Sequence, residues 1–397
     1  MLVSKRPVIG FASLGDASNP NYSSGAPYAM RQGFKAIGCD VVDLFPLEPK
    51  QRKWLSARSI LHRLNGEFYA HNRSPLMLRQ MARTADQMLE GKHVDFVFAP
   101  HTAPLTQLES DVPVVVTHDQ TFFERIAYFA YEARPPAKDY VDEALRQEAQ
   151  AFDRADLCVY PSQRSLDCIA RRHHIPPEKL MLAPWGANLS YEPGTSEVAN
   201  SIEKRELDPL MVTFVGVDWA RKGGGVVVET CKLLRERGVN VRLLVIGCTP
   251  PLPLPYWVTV IPWLDKHTEE GRSRYRHYLS RSHLMFMPSR LEAYGHVLCE
   301  AAAYGVPAIT TDVGGIPTVV ECDVTGLCLP LASKPDAYAE AIMALTGDKA
   351  RYRQMSQAAR QRYETKLTWT AFCRSVVAEG MRLAEERSLA HLAQAAE

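Results

Sequence analysis

Two glutamates, Glu292 and Glu300, stand with seven residues between them in the segment SRLEAYGHVLCEAAAYGVPAITTDVGGIP, Ser289 to Pro317. A carboxylate at a crevice accepts hydrogen bonds from sugar hydroxyls, and one set deeper takes the paired hydroxyls of a ribose, as acids do in dinucleotide folds. Neither task moves a proton. The elements around the acids must supply their geometry. HLMFMPS is an apolar run that reads as a buried parallel strand leaving its sheet, so Glu292 falls in the loop that follows. Gly295 lets backbone approach a ligand, and HVLCEAAAY has helix-forming content until Gly305 stops it before the strand VPAITT. Glu300 then lies about a turn and a half inside that helix. A strand, a short glycine-containing loop and a helix with unpaired first N–H groups make an anion site, and phosphate is the anion expected. Taken singly, each acid also fits a plain surface role, in the loop or on the helix.

Three other segments carry chemistry. FVGVDWARKGGG, Phe214 to Gly225, ends a strand and enters a helix with Arg221 and Lys222 at the turn. Cations there neutralise a diphosphate, Arg through a planar fork and Lys as a point charge. LGDASNPNYSSGAPY follows the first strand and is dense in Gly, Ser and Asn. Such a loop aims backbone donors at a phosphate or an acceptor hydroxyl, although it lacks G-x-G-x-x-G. VVVTHDQTF sets His118 and Asp119 at the carboxyl end of another strand, the edge where open α/β sheets bind ligands.

Together these segments resemble the retaining glycosyltransferases of the GT-B fold, specifically glycosyltransferase family 4. There, two glutamates at this spacing precede a GVPAIT-like strand and a Gly-Gly loop, here Gly314, Gly315, Ile316 and Pro317. The match is close over about 205–330 and looser before it. The resemblance implies a donor site formed by Gly15, Arg221, Lys222, Leu264, Glu292, Ala293, Tyr294, Gly295, His296, Val297 and Glu300, with His118, Glu292 and Lys222 as the catalytic set. Gly15 corresponds to the family's glycine after the first strand, and Ser23, Ser24 and Gly25 would line the acceptor side. The family has a basic residue directly after the first glycine of the Lys222 segment. Val217 stands there, and Arg221 is the candidate replacement. Base contacts would come from backbone near Trp263 and Leu264.

Composition sets the frame. A chain of 397 residues suits two ordinary domains better than one core. Charge is nearly balanced, 46 basic against 45 acidic residues, so no nucleic acid partner is expected. Nine cysteines show no C-x-x-C pair and read as small apolar residues in a reducing compartment. The N-terminal apolar run is short for a signal peptide and no run reaches membrane-spanning length, so a cytoplasmic protein is expected. The basic stretch EPKQRKWLSARSILHRLNG, with Lys50, Arg52, Lys53, Arg58 and Arg63, suits either a solvated helix or peripheral contact with an anionic membrane.

Strands alternating with helical stretches predict an α/β protein with two Rossmann-like doubly wound domains. PVIGFAS, DVVDLF, VDFVFAP, VPVVVTH and ADLCVYPS make the first sheet; LMVTFVG, VRLLVIG, WVTVIP, HLMFMPS and VPAITT the second. The domains are expected at 1–190 and 205–369, joined by the polar stretch 188–209, and the family implies that a last helix, about 370–397, returns to the first domain.

The resemblance implies retaining transfer of a hexose from a nucleotide-diphosphate sugar, UDP ahead of GDP, to a hydroxyl of a glycan or lipid-linked acceptor. Negative charge grows on the leaving diphosphate, and no D-x-D triplet is present to hold a metal against it. Neither a metal nor a cofactor is therefore expected. Two alternatives remain: a GT-B epimerase or hydrolase consuming donor alone, and a non-catalytic nucleotide-sugar-binding subunit.

Overall fold

Strands covered on both faces are apolar, as the central ones here are, and six short strands build each of two all-parallel sheets. The computed structural model describes residues 6–48, 53–189, 191–251, 253–266 and 268–395. The first sheet contains β1 (Val8–Ala12), β2 (Asp40–Leu44), β3 (Phe96–Ala99), β4 (Val114–Val116), β5 (Leu157–Tyr160) and β6 (Leu180–Leu182), in the order β2-β1-β3-β4-β5-β6. The second contains β7 (Leu210–Val215), β8 (Val241–Ile246), β9 (Val258–Ile261), β10 (Leu284–Met287), β11 (Ala308–Thr311) and β12 (Gly326–Leu329), in the order β12-β11-β10-β7-β8-β9. Of the four edge strands, β6 and β12 escaped the sequence reading. Each has only three or four residues, too short a run to register as a strand.

The chain divides into two units, Met1–Ala183 with Trp369–Glu397, and Pro184–Thr368. In the first, Phe152, Val97, Val116 and Tyr160 belong to a buried cluster beside the sheet. The final helix, Trp369–Ala395, is part of this unit. Gly380 lies so close to the ring of Phe96 that a Cβ would come within 2.6 Å of it, and Phe372 meets Phe98 edge to face at 6.1 Å between ring centres. In the second unit Phe214, Phe286, Ile309 and Tyr338 are among the residues of the core.

The stretch 188–209 is not simply a connection. It carries the helix Thr195–Glu203, whose Val198 and Ile202 are buried, and it belongs to the second unit. Only two apolar positions face inward, too few to register as a helical period amid the polar residues. Arg360 secures the segment by donating to the Pro193 carbonyl at 2.9 Å.

Cysteine usage also departs from expectation. Seven cysteines are buried thiols, but Cys322 and Cys328 form a disulfide across a turn. The turn places Asp323 at φ 64° and brings the two Cα atoms to 5.4 Å, within the range a disulfide spans.

Candidate active site

In the second sheet the strand order reverses between β7 and β10, which are neighbours, and ligands of open α/β sheets bind outside such a point. The loop after β7 carries Lys222, and the loop after β10 carries Glu292. The Lys222 ammonium donates to Glu292 Oε2, and Ser289 Oγ donates to the same oxygen at 3.2 Å. Only 11% of the lysine side chain and 9% of the glutamate side chain are exposed.

Main-chain contacts knit these loops together. The Arg290 N–H donates to the Arg221 carbonyl at 2.7 Å. Gly223, at φ 77°, lies where a Cβ would come within 2.2 Å of the Pro288 carbonyl oxygen. Gly314, at φ 57°, is tighter still, with 1.6 Å to the Glu292 carbonyl oxygen. Both conformations favour glycine, and neither location has space for a side chain.

Arg221 is held by contacts within its own unit. Its guanidinium donates to the Leu291 carbonyl at 3.0 Å and pairs with Asp218 at 3.3 Å, so its observed work is to fasten the Glu292 loop. Val217 is 75% exposed and offers no cation.

Gly295, at φ 101°, caps the helix His296–Ala303, on which Glu300 is almost wholly buried. The Tyr275 hydroxyl donates to Glu300 Oε2, and Lys266 Nζ lies 3.1 Å from Oε1. Burial first, then the charge of Glu300, push the Tyr275 hydroxyl well above its ordinary pKa, which keeps it a donor. Neither partner was foreseen. Lys266 sits in the loop after β9 and Tyr275 in the helix Glu269–Arg281, and no spacing in the sequence links them to Glu300.

Ala293 and Val297 are half-buried beside Gly295. Tyr294 turns its ring inward and donates from its hydroxyl to the Trp185 carbonyl at 2.8 Å, leaving only its backbone for a ligand. His296 stacks on Trp185 and places Nδ1 at 3.2 Å from the Gly186 carbonyl. Leu264 is half-buried in the loop after β9, next to Trp263, which is 72% exposed.

In the first unit, His118 follows β4, with Nδ1 2.7 Å from Asp119 Oδ1. Burial lowers the imidazole, but the adjacent carboxylate outweighs it and holds His118 above its ordinary pKa. The neighbouring His101, with ring centres 5.7 Å apart, is driven to about 3 by burial and by His118, so it is neutral near pH 7. Gly15 follows β1 and makes room for the ring of Tyr22, which a Cβ would approach to 2.3 Å. Ser23, Ser24 and Gly25 form a left-handed turn before the helix Ala26–Ala36.

Of the basic stretch, Lys50 and Arg52 lie outside the described residues. The helix Lys53–Leu64 covers the rest, and Arg58 is paired with Asp139 and Glu143 at 2.6 and 3.0 Å. No helix among the described residues is long and apolar enough to cross a membrane.

Residues 197–362 match the family described as Glycosyl transferases group 1, and residues 28–191 match Glycosyltransferase Family 4. The chain belongs to glycosyltransferase family 4. Each unit has the Rossmann-like architecture of GT-B glycosyltransferases. The first sheet of this family 4 protein also ends its strands beside the residues that sequence selected, His118 after β4 and Gly15 after β1. Among curated relatives, a D-inositol 3-phosphate glycosyltransferase of Corynebacterium glutamicum is 29% identical over 56% of this chain and 56% of its own length. The Nocardia farcinica protein of the same name is 26% identical over 70% of this chain and 63% of its own. The chain thus spans less than two thirds of the length of these relatives. Sucrose-phosphate synthase from Thermosynechococcus elongatus has a similar fold, with TM-score 0.65 and 18% identity over 96% of this chain and 99% of that one. Anabaena HepE, solved with UDP-glucose, gives TM-score 0.60 and 13% identity over 94% and 99%.

Proposed function

We propose that this protein transfers a hexose from a nucleotide-diphosphate sugar to a hydroxyl acceptor, with retention at the anomeric carbon and without a metal ion. The observation that carries the proposal is the meeting of Lys222 and Glu292 at the switch point of the second sheet, one helix away from a buried Glu300. Lys222 would turn from Glu292 to the diphosphate and oppose the charge that grows as the glycosidic bond breaks. Glu292, released from that pairing, would accept from the sugar hydroxyls. Glu300 would accept the ribose hydroxyls while Lys266 and Tyr275 hold it in place. His118, above its ordinary pKa, would donate to the sugar or to the leaving oxygen. The family resemblance supports retention, through a front-face route in which the leaving phosphate would take the acceptor's proton.

UDP is preferred as the nucleotide, in keeping with HepE, which was solved with UDP-glucose. The relatives named for inositol phosphate favour a phosphorylated polyol acceptor, beside the glycan or lipid-linked acceptors that the family admits. A cytoplasmic location with optional contact at a membrane surface belongs to the same proposal.

The test is calorimetry with UDP and GDP, followed by product analysis with UDP-glucose and an acceptor panel in the presence of a chelator. Transfer that survives chelation is expected. Donor consumption that is the same with and without every acceptor would replace the transferase by a hydrolase or epimerase. For the ribose contact, Glu300→Gln should weaken UDP by about 1–3 kcal/mol, because charged hydrogen bonds become neutral ones.

A further inference from the structure

The strands β1, β3 and β4 are neighbours in the first sheet, and a row of three rings crosses their carboxyl ends. Tyr22 stands in the segment after β1, His101 in the loop after β3 and His118 in the loop after β4. The Tyr22 hydroxyl is 3.4 Å from His101 Nε2, and the two rings meet edge to face at 6.0 Å between centres. The ring of His118 comes next, 5.7 Å from that of His101.

Each contact has a chemical direction. Burial raises the Tyr22 hydroxyl above its ordinary pKa, so it keeps its proton near pH 7, and the Gly15 main chain opposes that rise by hydrogen-bonding the phenol oxygen. The hydroxyl proton is thereby left for His101. A neutral imidazole has one nitrogen to accept and one to donate, so a hydroxyl donating to Nε2 leaves the ring proton on Nδ1 and selects a single tautomer. Asp119, Arg73 and Glu148 supply the charges felt by His118, and His101 is uncharged beside them. What His101 gives its neighbour is place and not charge.

Tyr22 is itself fixed from two sides. Its ring covers Gly15, where a Cβ would come within 2.3 Å, and its N–H donates to the Asn19 carbonyl at 3.1 Å. Directly after it, Ser23 and Ser24 take φ 49° and 56°, left-handed values that are costly for residues with a side chain, and Gly25 follows at 80°. Such a run persists only where its surroundings over-determine it, and Tyr22 anchors its amino end.

We propose that Tyr22 is a positioning residue: its hydroxyl holds the His101 imidazole and His101 holds His118, so that the Gly15 loop, the left-handed turn and His118 are set together. The proposal rests on the transferase reading only for the reaction that His118 serves; the row of three rings belongs to the first unit alone.

The experiment has two arms, both on the full chain. In the first, the ring nitrogens of the histidines are followed by 15N NMR at pH 7 in the wild type and in Tyr22→Phe, with His101→Gln and His118→Ala assigning the signals. The wild type should show His101 with Nε2 unprotonated and Nδ1 protonated. Tyr22→Phe, which keeps a ring over Gly15, should move His101 toward the other tautomer and shift the His118 signals, while those of His173 and His391 stay in place. Unchanged signals at His101 and His118 overturn the proposal, and so does a change at His101 that does not reach His118. In the second arm, steady-state transfer is measured with UDP-glucose and the acceptor on which the wild type is active. Tyr22→Phe and His101→Ala should each lower kcat roughly tenfold, the scale of one neutral hydrogen bond, with the donor KM within about twofold. His101→Gln, which keeps an acceptor near Nε2, should recover part of that loss. Added to His118→Ala, Tyr22→Phe should cost less than about twofold more, because both act through one group. An equal loss in both backgrounds, or an effect on KM alone, overturns the proposal. A wild type that transfers to no acceptor sinks the transferase reading, and the NMR arm, which needs no substrate, then decides the part of Tyr22 by itself.

Discussion

The ammonium of Lys222 meets the carboxylate of Glu292 across seventy positions of sequence, at adjoining loops of neighbouring strands. Each side chain is about nine-tenths covered, so the pair is removed from most of the water that weakens surface ion pairs. In the proposed reaction an incoming diphosphate would exchange one anionic partner of the lysine for another.

Replacing Lys222 by Ala should lower turnover by roughly a hundredfold or more, the scale for losing one oriented electrostatic donor. It should also destabilise the fold by about 3–5 kcal/mol, because Glu292 is left buried without its partner. Adding Glu292→Gln should restore most of the stability and none of the turnover. Steady-state rates and denaturant midpoints separate the two effects, and a fully active Lys222→Ala would remove the lysine from the mechanism.

Gly314→Ala should damage the site through the backbone. A methyl group 1.6 Å from the Glu292 carbonyl oxygen cannot be accommodated, so the loop must shift, at a cost of about 1–3 kcal/mol for the strained conformation alone. UDP titration should show weakened binding even at temperatures where the variant stays folded. Unchanged affinity would mean that the loop moves independently of Glu292.

Glu148 should impose a pH dependence on stability. Burial raises its carboxyl from 4.5 to about 7, with the Phe122 N–H opposing. Between those values the folded protein binds more protons than the unfolded chain, so this contribution is full below pH 4.5 and is lost as pH rises through about 7. The change is on the order of 3 kcal/mol. Glu148→Gln, which keeps a carbonyl for Phe122, should flatten the slope in urea denaturation series across that window. An identical slope in the variant would rule out Glu148 as its source.

Cys322 and Cys328, six positions apart, close a small loop. Loop-closure entropy for so few residues predicts a loss of roughly 2 kcal/mol on reduction. Thermal melts with and without dithiothreitol should show that loss, and Cys322→Ser should abolish the difference.

Much of this was readable in the chain. HLMFMPS, Gly295 and Gly305 mark a strand, a turn and a helix end by local rules, and they locate Glu292 and Glu300 without any knowledge of distant contacts. Contacts across the sheet were not readable. Tyr275 and Lys266 reach Glu300 from 25 and 34 positions away, and nothing local to either residue records that. The contact of the Arg221 guanidinium with the Leu291 carbonyl, at 3.0 Å, was equally hidden, because it joins residues seventy positions apart. The Cys322–Cys328 pair was hidden for a similar reason: only the left-handed turn at Asp323 brings two ordinary-looking thiols together. His118 was legible as a strand-end residue, whereas nothing local placed the ring of His101 beside it, 5.7 Å away between ring centres.

The close packing of Gly314 against the main chain of Glu292 means that this acid is located through its peptide group as well as through its carboxylate. The loop therefore has a main-chain register of its own, onto which the buried pairing with Lys222 is added, so the position of residue 292 and the charge it carries are set by two separate sets of contacts.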